Sequence, residues 1–173
     1  MSLDQGNTKA IVLLSLFSSI IYVSQIVLSF IPNVNIVTLL FVVYTFNLGI
    51  KKTFVVLVVF NTLMGITYGF GYWIIGYFWI YGTLIILTRI LMTVIKDNVV
   101  LWSLFGLIFG FLFGFLFAIN DYYFVGVSLK AYYLKGIPYD IIHGFSNMLA
   151  LLFLFNPLNN VIKRGVNKER IFT

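Results

Sequence analysis

The chain has 173 residues, of which 61% are hydrophobic and 9% charged, with a mean hydropathy of +1.05. A soluble domain of this size needs far more polar surface, so the composition predicts an integral membrane protein. The absence of Cys excludes a disulfide framework and a thiolate metal site, while one His and five acidic residues leave little material for a metal centre or a hydrolytic triad. The net charge of +6 is not gathered in a basic stretch interleaved with exposed polar sequence, which argues against a nucleic-acid partner and for membrane topology as its explanation.

Met1 to Thr8 is short and polar and lacks the basic region and small-residue cleavage site of a signal peptide, so the first apolar run is expected to be retained as a spanning helix. Crossing a hydrocarbon core of about 30 Å takes about 20 helical residues. Six spans are predicted, at 9–31, 34–50, 53–67, 73–95, 99–119 and 138–155. The expected fold is therefore all-α, a compact bundle of six transmembrane helices in a single membrane domain covering 1–173.

In the first span Ser15 and Ser19 are four apart, with Ser18 beside them, and a small-xxx-small face lets another helix approach closely. That helix is either another part of this chain or a partner. Pro32 ends the span, and Pro32, Asn33 and Asn35 make a polar turn. Their amides either hydrogen-bond a ligand or cap the next helix. The run 34–50 is short, and crosses only with little tilt or with the two Asn in a non-helical lead-in shielded by protein.

Lys51 and Lys52 punctuate the chain before the third span, which carries Asn61 in its middle. The stretch from Gly65 to Trp73 is rich in glycine and aromatics, and its glycines permit turns that a regular helix forbids. Tyr68, Tyr72, Trp73, Tyr77 and Trp79 either anchor helix ends at the headgroups or stack on a planar ligand. Arg89, Lys96, Asp97 and Asn98 close the fourth span. Gly106, Gly110 and Gly114 form one stripe along the fifth, for which close packing of the bundle is the preferred reading. Asn120, Asp121, Tyr122 and Tyr123 then make a polar and aromatic exit, followed by a linker with Lys130 and Lys135, and Pro138 suits the first turn of the last span.

That last span carries ionisable groups into apolar sequence. Asp140, His143 and Asn147 fall on one helical face, flanked by Tyr139. An ionised carboxylate in hydrocarbon costs several kcal/mol, so the face is expected to look into the bundle or a watery cavity. Asp140 and His143 either pair with each other, relay protons, or leave His143 with a structural hydrogen bond to a neighbouring helix.

With six crossings, Lys9, Lys51, Lys52, Arg89, Lys96 and the tail cations Lys163, Arg164, Lys168 and Arg170 fall on one side, and only Lys130 and Lys135 on the other. The positive-inside rule then puts both termini in the cytoplasm. The Asn33 turn, the glycine and aromatic cluster, the Asp121 loop and the Asp140 end of the last helix converge on the outer mouth.

Six short spans, the Pro-Asn-Val-Asn turn of Pro32 to Asn35, the Gly-aromatic loop after the third span and the Gly-Ile-Pro-Tyr-Asp-Ile-Ile-His run of Gly136 to His143 resemble a substrate-binding S component of an energy-coupling-factor (ECF) vitamin transporter. The resemblance implies a subunit that captures a vitamin or related micronutrient outside the cell. It implies a transmembrane coupling subunit and two ATPases as partners, with ATP used by the partners only and no covalently bound cofactor. In that family the first helix often carries an Ala-xxx-Ala face for the coupling subunit, and Ser15 and Ser19 are the nearest equivalents. The Pro-Asn-Val turn is similar to that of the cobalamin and cobalamin-precursor branch.

No Walker A loop is present, so this chain does not hydrolyse ATP by that route. Three rival readings stand beside this one: a self-sufficient proton-coupled carrier or channel using Asp140 and His143, a lipid-acting enzyme with the same pair as acid and base, and a non-transporting membrane adaptor.

Overall fold

The structure, a computed structural model, describes residues 5–168, with side chains over 8–166; the first four residues, the side chain of Lys168 and the tail cation Arg170 lie outside it. The described residues form five helices, α1 (Gln5–Leu28), α2 (Val37–Tyr68), α3 (Tyr72–Ile95), α4 (Val99–Val125) and α5 (Leu129–Lys168), and no strand. All five are long and apolar enough to cross a membrane, so the chain is an all-α protein with the build of a multi-pass membrane protein.

Five helices stand where six spans were expected, because 34–50 and 53–67 belong to one element, α2. No proline or polar turn separates them, and Lys51 and Lys52 are good helix formers. The interruption is Gly49 alone, at φ 76° and ψ 172°, a conformation open essentially only to glycine. On a straight helix Phe41 and Phe60 would stand roughly 28 Å apart. Their ring centroids are 5.9 Å apart, so α2 is folded back on itself at Gly49 into two helical arms. Tyr81 of α3 packs on both rings, at 5.1 and 6.3 Å, and these groups form the centre of the core.

The last helix also departs from expectation. It begins at Leu129, before Pro138, and continues past Asn156 and Pro157 to Lys168. Lys130 and Lys135 therefore sit on a helix and not in a linker, and Pro138 is interior to it. The residues Leu129 to Lys135 favour helix, and a proline removes one hydrogen bond and kinks a helix without ending it where neighbouring helices hold the rest. In α4 the expected exit residues Asn120 to Tyr123 are likewise helical. That helix starts where the Asn98 side chain accepts from the N–H groups of Val100 and Leu101, at 3.1 and 3.2 Å. It stops at Gly126, whose φ of 76° lets its N–H reach back to the carbonyls of Asp121 and Tyr122.

Packing gives the molecule two distinct ends. At one, Phe46 lies 5.1 Å from both Trp102 and Phe155, and the Asn47 side-chain N–H donates to Asn159 Oδ1 at 2.8 Å. This joins the α2 fold, the start of α4 and the end of α5, and gathers Lys51, Lys52, Lys96, Lys163 and Arg164. At the other end Tyr22 and Thr67 share a hydrogen bond of 2.7 Å between their hydroxyls, and the Ser146 hydroxyl donates to the Asn35 carbonyl at 3.5 Å. The turns 29–36, 69–71 and 126–128 follow helices that run toward this second end.

Replacing Gly49 by Ala puts a Cβ on a backbone that disfavours it, at a cost of about 1–3 kcal/mol. Thermal unfolding in detergent is expected to show Gly49→Ala melting below the parent. Gly165→Ala, where an added Cβ meets nothing within 4 Å, is expected to melt at or above it. Equal melting of the parent and Gly49→Ala contradicts the fold of α2.

Candidate ligand site at the turn end

The site rests on contact between α4 and α5, where the glycine stripe meets the polar face. A Cβ added at Gly106 collides with Leu151 and approaches the Asn147 carbonyl; one at Gly110 falls 2.5 Å from Gly144 Cα; one at Gly114 collides with the Asp140 carboxylate. The stripe thus brings the helices together backbone to backbone, as small residues do in membranes. It also lodges Asp140 in the notch that Gly114 leaves open.

Asp140, His143 and Asn147 all turn into the protein, with 7%, 1% and 0% of their surface exposed. The His143 ring stands edge-on to Phe113, centroids 4.7 Å apart and planes at 82°. Asp140 Oδ2, both His143 nitrogens and both amide atoms of Asn147 have no hydrogen-bond partner among the described residues. The Asp140–His143 hydrogen bond and the helix-to-helix hydrogen bond considered for His143 are therefore not made. A carboxylate, an imidazole and an amide are held with hydrogen-bonding capacity to spare.

Two of these groups line cavities, Asp140 the first and His143 the second of three that share walls. The first, of about 380 Å³, is lined by Asn33, Phe113, Gly114, Phe117, Tyr132, Lys135, Gly136, Tyr139 and Asp140. The second, of about 130 Å³, shares Asn33 and Phe113 with it and adds Asn35, Gln25, Tyr77, Tyr81 and His143. The third, of about 270 Å³, shares Gln25 and Tyr77 with the second and adds Met64, Tyr68 and Trp73. Asn33, Asn35, Tyr68, Trp73, Tyr77, Tyr139, Asp140 and His143, drawn from three helices and a turn, thus line three cavities that share walls.

Local structure positions each wall. Asn33 takes a left-handed φ of 59°, which Asn tolerates better than most residues, and this lets the 29–36 turn close over α5. Asn35 serves its own backbone as well as the cavity, since its side-chain oxygen accepts from the Val37 N–H at 3.1 Å. Trp73 and Tyr77 stand at 81° with centroids 5.5 Å apart, and Tyr77 meets Phe117 edge-on at 5.4 Å.

Tyr72, Asp121 and Asn147 are not in the lining of these cavities. Tyr72 is exposed, and Asn147 is enclosed beside Gly106. Asp121 is buried and accepts from Asn120 Nδ2 at 3.2 Å. Asn120 also accepts from Trp79 Nε1 at 3.3 Å and donates to the Tyr72 carbonyl at 3.5 Å, fastening α3 to α4 behind the site. Ser15 and Ser19 are exposed on the outer side of α1, Ser19 donating to the Ser15 carbonyl at 2.9 Å. Their neighbour Ser18 does the packing within the chain, reaching the Val56 carbonyl at 3.3 Å.

Sequence reading missed Phe113, Phe117, Tyr132, Lys135 and Gln25 as lining residues. Phe113 and Phe117 are four apart beside the glycine stripe, a signal lost among the many Phe of α4. Tyr132 and Lys135 were hidden by the assignment of their stretch to a linker. Among the described residues, no group of three His, Asp or Glu gathers to hold a metal ion. Compared with models of known families, with curated proteins and with solved structures, the chain matches none.

Gly110→Ala drives a methyl group into the α5 backbone at Gly144 and His143, which cannot move as a side-chain end can. A loss of about 1–3 kcal/mol is expected, read as a lower unfolding temperature. An unchanged melt would show that α4 and α5 do not meet here.

Proposed function

We propose that the chain is the solute-capture subunit of a membrane importer of the energy-coupling-factor type, binding a vitamin or related micronutrient. The observation that carries this reading is the set of cavities with shared walls at the end opposite the basic cluster, ring-lined with a few placed amide, carboxylate and imidazole groups. Pockets for small organic molecules have this make-up, and the largest cavity, about 380 Å³, suits a small ring compound better than a corrinoid.

In this reading both arms of α2 cross the cell membrane, the short first arm with the non-helical 29–36 turn as its lead-in, giving six crossings and both termini on one side. The positive-inside rule then assigns the end with Lys51, Lys52, Lys96, Lys163 and Arg164 to the cytoplasm and the cavities to the outside. The interior toward the basic end is closed by the Phe46, Trp102 and Phe155 rings. A solute that enters the cup meets this apolar plug, which supports a receptor dependent on a partner over a self-sufficient carrier. That partner is a transmembrane coupling subunit driven by two ATPases, seated on the outer side of α1 around Ser15 and Ser19, where the small hydroxyls leave room for a close helix.

Chain purified from its native membrane is expected to carry a ring-bearing small molecule, released on denaturation and identified by mass spectrometry. Vesicles holding this chain alone are expected to bind that molecule at the surface and not accumulate it. Accumulation driven by a proton gradient or membrane potential, with no other protein present, would overturn the proposal in favour of a carrier.

A further inference from the structure

Resting on the capture reading, we infer that the captured solute carries a positively charged nitrogen and that Asp140 is its counter-ion. The Asp140 carboxylate sits in the Gly114 notch, 7% exposed, on the wall of the largest cavity, with Oδ2 unpartnered. A carboxylate at membrane depth is tolerated where a cation or hydrogen-bond donors meet it, and a cation in that position makes the stronger, charge-assisted bonds. The chain does not supply that cation from the nearest candidate. His143, one helical turn further along α5, borders the second cavity and makes no hydrogen bond through either nitrogen.

The rings of the first cavity favour the same solute. Phe113, Phe117, Tyr132 and Tyr139 line the same cavity as the carboxylate, and aromatic faces attract cations. Lys135 borders the same cavity but is exposed, at the rim. It sets the polarity of the site, with the basic nitrogen inward at Asp140 and any hydrogen-bond-accepting or acidic group outward at Lys135. A solute whose inner end is anionic meets the carboxylate head-on and is rejected.

The test uses the full chain in lipid nanodiscs and three ring probes of matched size: 2-phenylethylamine, 2-phenylethanol and phenylacetate. Calorimetric titration is expected to show the amine binding about tenfold or more tighter than the alcohol, with the acid weakest. Asp140→Asn, nearly isosteric, is expected to erase the advantage of the amine over the alcohol. The comparison in the unmodified chain stands even if that variant does not fold. Alcohol or acid binding as tightly as the amine overturns the cation assignment and leaves the capture reading intact. Failure of all three probes to bind, with no small molecule retained on purification, overturns both.

Discussion

Contact between the backbones of α4 and α5 decides where the polar groups of the last helix go. With Gly106, Gly110 and Gly114 facing them, Asp140, His143 and Asn147 are drawn against α4 and away from lipid. Bulkier residues in the stripe would hold the helices apart and open that face to hydrocarbon, where each polar group costs several kcal/mol. The same approach sets the Asp140 carboxylate in a notch and turns the Phe113 ring edge-on to His143. Packing and site are thus one construction: the glycines that permit the helix pair also aim its polar side chains.

The rest of the bundle divides labour between its ends. The fold of α2 at Gly49 carries Lys51 and Lys52 to the end where Lys96, Lys163 and Arg164 also lie, sealed inside by Phe46, Trp102 and Phe155. The opposite end is looser, with three turns, an Asn in left-handed conformation and cavities between elements that meet only partly. Asn120 braces that end without lining it, linking Trp79 and the Tyr72 carbonyl on α3 to Asp121 on α4.

Helical periodicity makes much of this legible in the sequence. The common face of Asp140, His143 and Asn147 and the packing role of the glycine stripe follow from spacing alone, and both are found in the structure. Features that depend on tertiary context were not legible. A lone Gly49 between helix-forming residues does not announce that the chain turns back there, and only the meeting of Phe41 and Phe60 reveals it. Pro138 carries the signal of a helix start, yet α5 runs through it, which hid Tyr132 and Lys135 from the reading of the site. In α1 three nearby serines look equivalent in sequence, and the direction of the helix face alone assigns Ser18 to the interior and Ser15 and Ser19 to the outside.

The proposed function requires the basic end of this bundle to be cytoplasmic and the end with the cavities to face outward. Because the chain has no Cys, single-cysteine variants report position without background. In intact cells, a membrane-impermeant maleimide is expected to label Asn33→Cys from outside and to reach Lys51→Cys only after the membrane is permeabilised. Labelling of Lys51→Cys in intact cells, or of both positions from the same side, would contradict the account.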